Sequence, residues 1–439
     1  MRQCLYILAI LFCVVLHAQD TTTVALPYLS VEDAVAQALK NNYDILLSGN
    51  NLKMDEQNVS LANAGLLPNL SGSFNQNNNI QYSNQVRADG TVQELNNAKN
   101  NSMNYGVNLG WTIFDGFRMF ARYDQLKELQ KQGEAELKYT VLTRVSDVME
   151  TYFTLVQQQQ MIKALDTAVV ISTQRVTTAQ NRFTIGKAAK LEVLNAEVDL
   201  NTDRTNFLRQ HQEYENTKTL LNQLMARELT ADFRVADTVV TDEKLKLADL
   251  LNAAGQQNPQ IQLALISKRI AELDLKQVKS ARYPQVGVTT GYIFTDSESS
   301  LGFARSNQSR GFNYGISATI NIFDGFLQKR NENIAKLQIA NTKVFIEQQT
   351  QTVNSQLISS FQTYLTNLDL VKLEKKNVEI AEQNLDITME KYRIGTITTL
   401  EVRTAQLNYV NALSRSSTAQ FNAKLSEVNL KELAGNLSL

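Results

Sequence analysis

Cysteine is almost missing from this 439-residue chain, and the two present, Cys4 and Cys13, fall within the first 13 residues. Histidine is equally scarce, with only His17 and His211. These absences exclude a disulfide framework, a thiol nucleophile and most zinc sites. They leave little for nucleophile–His catalysis, and His211 reads as a helix-surface residue. The formal net charge is −1, so there is no basic surface to attract a nucleic acid. No internal run approaches the roughly 18 apolar residues of a membrane helix. Any membrane-spanning part must therefore be built from strands. No convergent set of reactive or metal-ligating residues marks an active site, so the chain reads as non-enzymatic and without a cofactor.

Residues 1–18 have the pattern of a signal peptide: Arg2, an apolar core from Leu5 to Leu16, and His17-Ala18 before Gln19. Both cysteines lie inside this segment, and neither sits in a lipoprotein-type cleavage pattern. No lipid anchor is expected.

Two stretches alternate strictly. In the first, Met103, Tyr105, Val107, Leu109, Trp111 and Ile113 are separated by Asn104, Gly106, Asn108, Gly110 and Thr112. In the second, Phe312, Tyr314, Ile316, Ala318, Ile320 and Ile322 are separated by Asn313, Gly315, Ser317, Thr319 and Asn321. Neither carries a charge, and both run into Phe-Asp-Gly-Phe. A period of two describes a strand with two different faces. An aromatic face opposite a Gly/Ser/Thr/Asn face suits an outer-membrane barrel strand. Tyr105, Trp111, Phe312 and Tyr314 are the candidate lipid-interface aromatics, against the plainer reading of ordinary β-propensity.

Helical spacing fills most of the rest. From Ser30, a capping-box-like start with Asp33, apolar residues recur at helical intervals to Leu67, and Pro68 ends the pattern. A hairpin over 69–114 follows, with strand 69–82 and a polar loop at 83–102. A proline-free pattern over 118–184 spaces Val141, Val145, Val148, Tyr152 and Leu155 by 4-3-4-3, a coiled-coil period. At 1.5 Å per residue it would run about 100 Å. Gly186 breaks it, and a second helix over 188–229 returns antiparallel. The polar run Gln157 to Gln160 reads as a solvated face.

A link over 230–246 precedes a second copy of the whole pattern. Asn258 and Pro284 stand 216 positions after Asn42 and Pro68 (284 − 68). Phe326 and Gly395 stand 209 positions after Phe117 and Gly186 (395 − 186). The chain is therefore an internal duplication. Its first repeat is 30–229 and its second is 247–436, the latter comprising a helix, a hairpin over 285–323, a long helix over 327–394 and a helix over 397–436. The helices before the hairpins and after the glycine turns, placed end to end, would match one long helix. Four strands cannot close a membrane barrel, whose smallest form has about eight. Several chains must then contribute strands to one barrel.

On these features the chain resembles the TolC family of outer-membrane efflux proteins over about 30–435. The resemblance rests on the duplication, the prolines before each hairpin, the Phe-Asp-Gly-Phe joints and two turns. The turns read Arg182-Phe-Thr-Ile-Gly186-Lys-Ala188-Ala189-Lys-Leu-Glu192-Val and Lys391-Tyr392-Arg-Ile-Gly395-Thr-Ile397-Thr398-Thr-Leu-Glu401-Val. The resemblance implies a mainly α fold with membrane β: a homotrimer forming a 12-stranded barrel in the outer membrane and an α-helical tunnel across the periplasm. It implies a passive exit duct, for small molecules such as drugs or for secreted proteins. The implied partners are outer-membrane lipid and a periplasmic adaptor leading to an inner-membrane pump, with no nucleic acid. A soluble periplasmic coiled-coil spacer and a stand-alone porin are the rival readings.

The resemblance also assigns residues. The turn positions Gly186, Ala188, Ala189, Gly395, Ile397 and Thr398 would dock the adaptor, and Glu192, Glu401 and Tyr392 would form the periplasmic entrance. Six carboxylates from three chains would ring it. The plainer reading of both glutamates is a favourable carboxylate at a helix start. Departures are visible: Ala189 replaces a small polar residue, and Ile397 stands where some relatives place a closing Arg. Lys187, Lys190, Arg393 and Arg403 are available as substitutes.

Overall fold

The computed structural model describes residues 26–300 and 304–437, so the signal-peptide reading lies outside the described residues. Twelve elements follow in order: α1 (Val31–Asn41), α2 (Tyr43–Asn58), β1 (Asn69–Val86), β2 (Val92–Phe114), α3 (Arg118–Thr184), α4 (Lys190–Leu224), α5 (Leu247–Gln257), α6 (Pro259–Ser280), β3 (Gln285–Ser299), β4 (Ser306–Thr319), α7 (Leu327–Ile394) and α8 (Thr399–Leu433).

Two compact units cut across the sequence repeats. One unit takes the chain up to Asn41 with Asp147–Asp242 and Thr366–Leu425; the other takes Asn42–Ser146, Glu243–Leu365 and the chain from Ser426. Each unit thus collects matching pieces of both repeats.

The helix expected to run unbroken from Ser30 to Leu67 is broken. The Ser30 hydroxyl caps α1 by accepting from the Asp33 N–H at 3.0 Å. Asn42 then leaves helical geometry, and its side chain accepts from the N–H groups of Asp44 (3.0 Å) and Ile45 (3.3 Å), starting α2. Asn258 does the same for α6, accepting from Gln260 and Ile261, with Pro259 at the first helical position. A short side chain that bonds nearby backbone competes with the helix ladder and wins here. The pairing of Asn42 with Asn258 across the repeats was thus a pair of helix starts. Helix α2 also stops at Asn58, and Gly65 (φ 84°) completes a turn before Pro68.

In the first unit, the coiled-coil stripe of α3 is buried at Val148, Tyr152, Leu155 and Val156. The Tyr152 hydroxyl donates to Leu29 O (3.0 Å) and accepts from the Ala236 N–H (3.1 Å). Burial pushes its phenol up to about 12, partly countered by the Ala236 hydrogen bond. Gln159, Gln160 and Lys163 all bond Asp237. The glutamine run is therefore a clamp on the link between repeats, not merely a solvated face. Helix α4 ends at Leu224 rather than 229, where Ala226 turns left-handed (φ 49°). Likewise α8 ends at Leu433 before Gly435 (φ 79°).

The second unit holds one antiparallel sheet in the order β1-β2-β3-β4. Cross-strand rows keep like with like. Phe74, Tyr105 and Phe294 share a row, as do Trp111, Val288 and Ile316. The opposite face carries the rows Ser71–Asn108–Gly291–Asn313 and Asn69–Gly110–Thr289–Gly315. Tyr105 and Phe294 stack with centroids 4.8 Å apart. β1 and β4 are both unpaired along their outer edges.

The hairpins depart from the sequence expectation in two places. Residues 83–102 are not a loop: β1 runs to Val86, and β2 starts at Val92 after a short turn. Both faces there are polar, so no alternation marks the strands, yet backbone pairing continues through Asn79↔Asn100 to Val86↔Val92. In the second hairpin, β4 ends at Thr319 although alternation continues to Ile322. Its partner Gln285 is the first residue of β3, directly after Pro284, so Ile320 has no strand to pair with.

Candidate functional site: the helical turns

Both turns leave their long helix in the same way. Gly186 (φ 75°) and Gly395 (φ 84°) adopt the left-handed conformation that lets a helix stop sharply. The next N–H folds back to satisfy an open carbonyl, Lys187 to Arg182 at 2.8 Å and Thr396 to Lys391 at 3.0 Å. The turns differ one residue before the returning helix. Thr398 and Glu401 form a capping box: the Thr398 N–H (3.2 Å) and hydroxyl (3.0 Å) donate to the Glu401 carboxylate, and the Glu401 N–H returns to the hydroxyl at 3.4 Å. Ala189 has no oxygen, so α4 starts with no side-chain cap.

That one difference gives the two glutamates different work. Glu401 is exposed and turned onto its own helix start. Glu192 has no cap to complete, and accepts from the Tyr392 hydroxyl at 3.0 Å. Arg182 approaches the same carboxylate at 3.5 Å, and its guanidinium lies over the Tyr392 ring at 5.2 Å. Tyr392 is only 2% exposed. Burial first, and the Glu192 carboxylate second, push its phenol up. The structure thus brings Glu192 and Tyr392 together with an arginine that sequence reasoning did not single out. Ala188 and Ile397 are half-buried, while Ala189 and Thr398 are exposed.

A second polar layer lies one heptad from this clasp on α3 and α4. Arg175 is 1% exposed. It donates to Asp199 (3.1 Å), to the Thr399 hydroxyl (3.0 Å) and to Gln406 (3.3 Å). Arg403 makes a bidentate pair with Asp203 at 2.7 and 3.0 Å and approaches Asp199 at 3.5 Å. Ser172 donates to Asp203, and the Gln406 amide donates to the Ala168 carbonyl, Ser172 and Asp203. Two cations and two carboxylates balance, tying α3, α4 and α8 together. Of the proposed substitute cations, Arg403 belongs to this layer. Arg393 pairs with Glu390 on its own exposed helix face, and Lys190 lies 5.5 Å over Phe183. The available signal was Arg175 itself, a charge beside the apolar stripe and seven residues before Arg182.

The four aromatics chosen from the sequence share the apolar sheet face: Tyr105 and Trp111 on β2, Phe312 and Tyr314 on β4. All four are exposed, Tyr314 by 83%. The Trp111 indole donates to the Leu66 carbonyl at 3.0 Å. Among the described residues no group of His, Cys, Asp or Glu has the arrangement to hold a metal, and no helix is long and apolar enough to cross a membrane.

The model of the outer membrane efflux protein family matches residues 34–227 and 250–436. The chain is 21% identical over 415 residues to the Escherichia coli outer membrane protein TolC, covering 92% of this chain and 81% of that protein. It is 19% identical over 381 residues to the Brucella suis outer membrane efflux protein BepC, covering 86% and 79%. Among solved structures, the Campylobacter jejuni CmeC outer membrane channel superposes with a TM-score of 0.77 at 20% identity, covering 92% of this chain and 85% of that one. The two matched segments divide at the link between the repeats, as the duplication requires. The chain belongs to the outer membrane efflux protein family and is an outer-membrane exit channel for efflux systems.

Proposed function

We propose that three copies of this chain close one 12-stranded barrel and one helical tunnel, forming a passive duct through which small molecules leave the periplasm. The observation that carries this reading is the sheet: four strands, two open edges and an uncovered aromatic face. An open edge in lipid leaves backbone groups unsatisfied, at several kcal/mol each. Pairing β1 of one copy with β4 of the next removes both edges, and three copies give twelve strands.

The helical turns are the docking surface for a periplasmic adaptor, with Gly186, Ala188, Ala189, Gly395, Ile397 and Thr398 at the contact. An inner-membrane pump supplies the energy, since the duct has no reactive centre. Glu192, Tyr392 and Arg182 act as a clasp at the entrance. Glu401, exposed and without a cationic partner at its carboxylate, is the acid that faces ions. Glu401→Gln is expected to lower cation selectivity in single-channel recordings, while Glu192→Gln loosens the entrance instead. Unchanged selectivity in Glu401→Gln would remove the acidic ring from the account.

The shared barrel is tested by placing one cysteine on each edge strand, Ser73→Cys with Ser309→Cys, and adding a bis-maleimide to isolated outer membranes. Covalent species of two and three chains, and no larger, are expected. Only single chains after cross-linking would refute the shared barrel.

A further inference from the structure

The Phe-Asp-Gly-Phe joints hold a conformational oddity twice. φ is +66° at Phe117 and +65° at Phe326, a left-handed backbone that side chains avoid. Glycine stands immediately before each and is also left-handed. A second glycine would relieve the strain, yet both joints keep phenylalanine. Packing within the chain does not account for this, because Phe117 is 61% and Phe326 71% exposed. Each leans edge-on against the first phenylalanine of its motif, Phe114 at 5.2 Å and Phe323 at 5.6 Å.

The joints are part of a longer exposed rim. Phe120 follows Phe117, and Ile322 and Leu327 flank Phe326, all exposed. Leu67 and Tyr283, the residues just before Pro68 and Pro284, are exposed as well. So each point where the chain enters or leaves the sheet carries an uncovered apolar group. The polar members of the motif turn away: Asp115 accepts from the Met119 N–H at 3.0 Å, and Asp324 from the Gln328 N–H at 2.7 Å. The first turn of α7 has no acid but carries exposed Lys329 and Arg330. Cations at a helix N-terminus oppose its dipole, so a favourable negative partner outside the helix is called for. Arg118 is different, since it borders a polar recess with Thr112 and Asn321.

We propose that this rim is a lipid-seating collar, with Phe117, Phe120, Phe323 and Phe326 at the boundary between headgroups and acyl chains of the membrane. Lys329 and Arg330 meet the phosphates of anionic phospholipid headgroups beside them. The occupant is lipid because the rim continues the aromatic face of β2 and β4, the face an outer-membrane channel turns to the bilayer. The collar fixes the depth at which the strands stop and the helices begin. It rests on the shared-barrel reading.

The chain has a single tryptophan, Trp111, three residues before Phe114. Its fluorescence in the reconstituted full-length channel reads depth when quenched by phospholipids brominated at shallow or deep acyl positions. Wild type is expected to be quenched, and more strongly by brominated phosphatidylglycerol than by brominated phosphatidylcholine. Lys329→Gln with Arg330→Gln is expected to erase that headgroup preference. Phe117→Gly with Phe326→Gly is expected to change the shallow-to-deep quenching ratio at least twofold, although backbone strain is relieved. Phe117→Tyr with Phe326→Tyr keeps the ratio. Glycine variants with the wild-type ratio overturn the collar. Glycine variants that separate into single chains, with unchanged quenching of those still assembled, assign the rim to contact between copies and also overturn it. Wild type unquenched by any brominated lipid overturns the barrel reading itself.

Discussion

Removing the Asp203 carboxylate tests whether the buried polar layer holds the turn-end helices together. Asp203 is 5% exposed and accepts from Ser172, from Gln406 and twice from Arg403. In Asp203→Ala, two buried arginines face one carboxylate, Asp199, and Arg403 reaches it only at 3.5 Å. Breaking a buried pair by deleting one partner costs about 3–5 kcal/mol. The Arg403 side chain keeps 13% exposure and one remaining carboxylate, which places the loss near the low end, about 3 kcal/mol. Local opening of α4 and α8 around 199–210 and 399–410 should then be about a hundredfold more frequent. Hydrogen exchange read by mass spectrometry on peptides from these segments measures it directly. Asp203→Leu combined with Arg403→Leu should recover most of the protection, because replacing both members of a buried pair by apolar groups is close to neutral. Wild-type exchange in Asp203→Ala, or a double variant as exposed as the two singles added together, would refute the reasoning.

Other outcomes follow from the clasp and the link. Tyr392→Phe deletes the hydrogen bond to Glu192, worth about 1–1.5 kcal/mol, and should raise the open fraction in single-channel records about tenfold while the fold survives. Burial raises the Tyr392 phenol above its ordinary value of 10.0, so the folded state holds this proton more tightly than the unfolded one. The stabilisation is complete below pH 10 and is lost as pH rises through the raised folded value, and open-time against pH should show this in wild type but not in Tyr392→Phe. Ala189→Thr rebuilds the missing capping box, adding about 1 kcal/mol to the start of α4. It should draw Glu192 off Tyr392 and raise open probability even as thermal stability increases. Tyr152→Phe leaves the Ala236 N–H unmatched, and limited proteolysis should cut the 230–246 link faster than in wild type.

The architecture was legible because its two periods differ so plainly. Alternation through Tyr105 to Ile113 and the 4-3 spacing from Val141 to Leu155 admit few other readings, and repetition at fixed offsets ties them into one plan. What escaped was structure that apolar pattern does not encode. Strand continues through 83–102 because backbone pairs there, while asparagine and glutamine on both faces hide it. The break at Asn42 depends on a side-chain cap, so it shows as a polar residue among many. At the turns, Tyr392 and Glu192 were visible by resemblance, but their partner Arg182 was not. Its role depends on Ala189, which leaves Glu192 uncapped. Arg175 was hidden because a charge next to an apolar stripe is usually solvated, and its burial rests on partners from α4 and α8.

The central claim is that one chain cannot close its own barrel. The direct measurement is the mass of the complex extracted from isolated outer membranes in mild detergent, by light scattering with the detergent contribution subtracted. Three chains per particle is the predicted result. A single chain, under extraction that preserves a known outer-membrane trimer, would contradict the account, since four strands with two open edges would then have to stand alone in lipid.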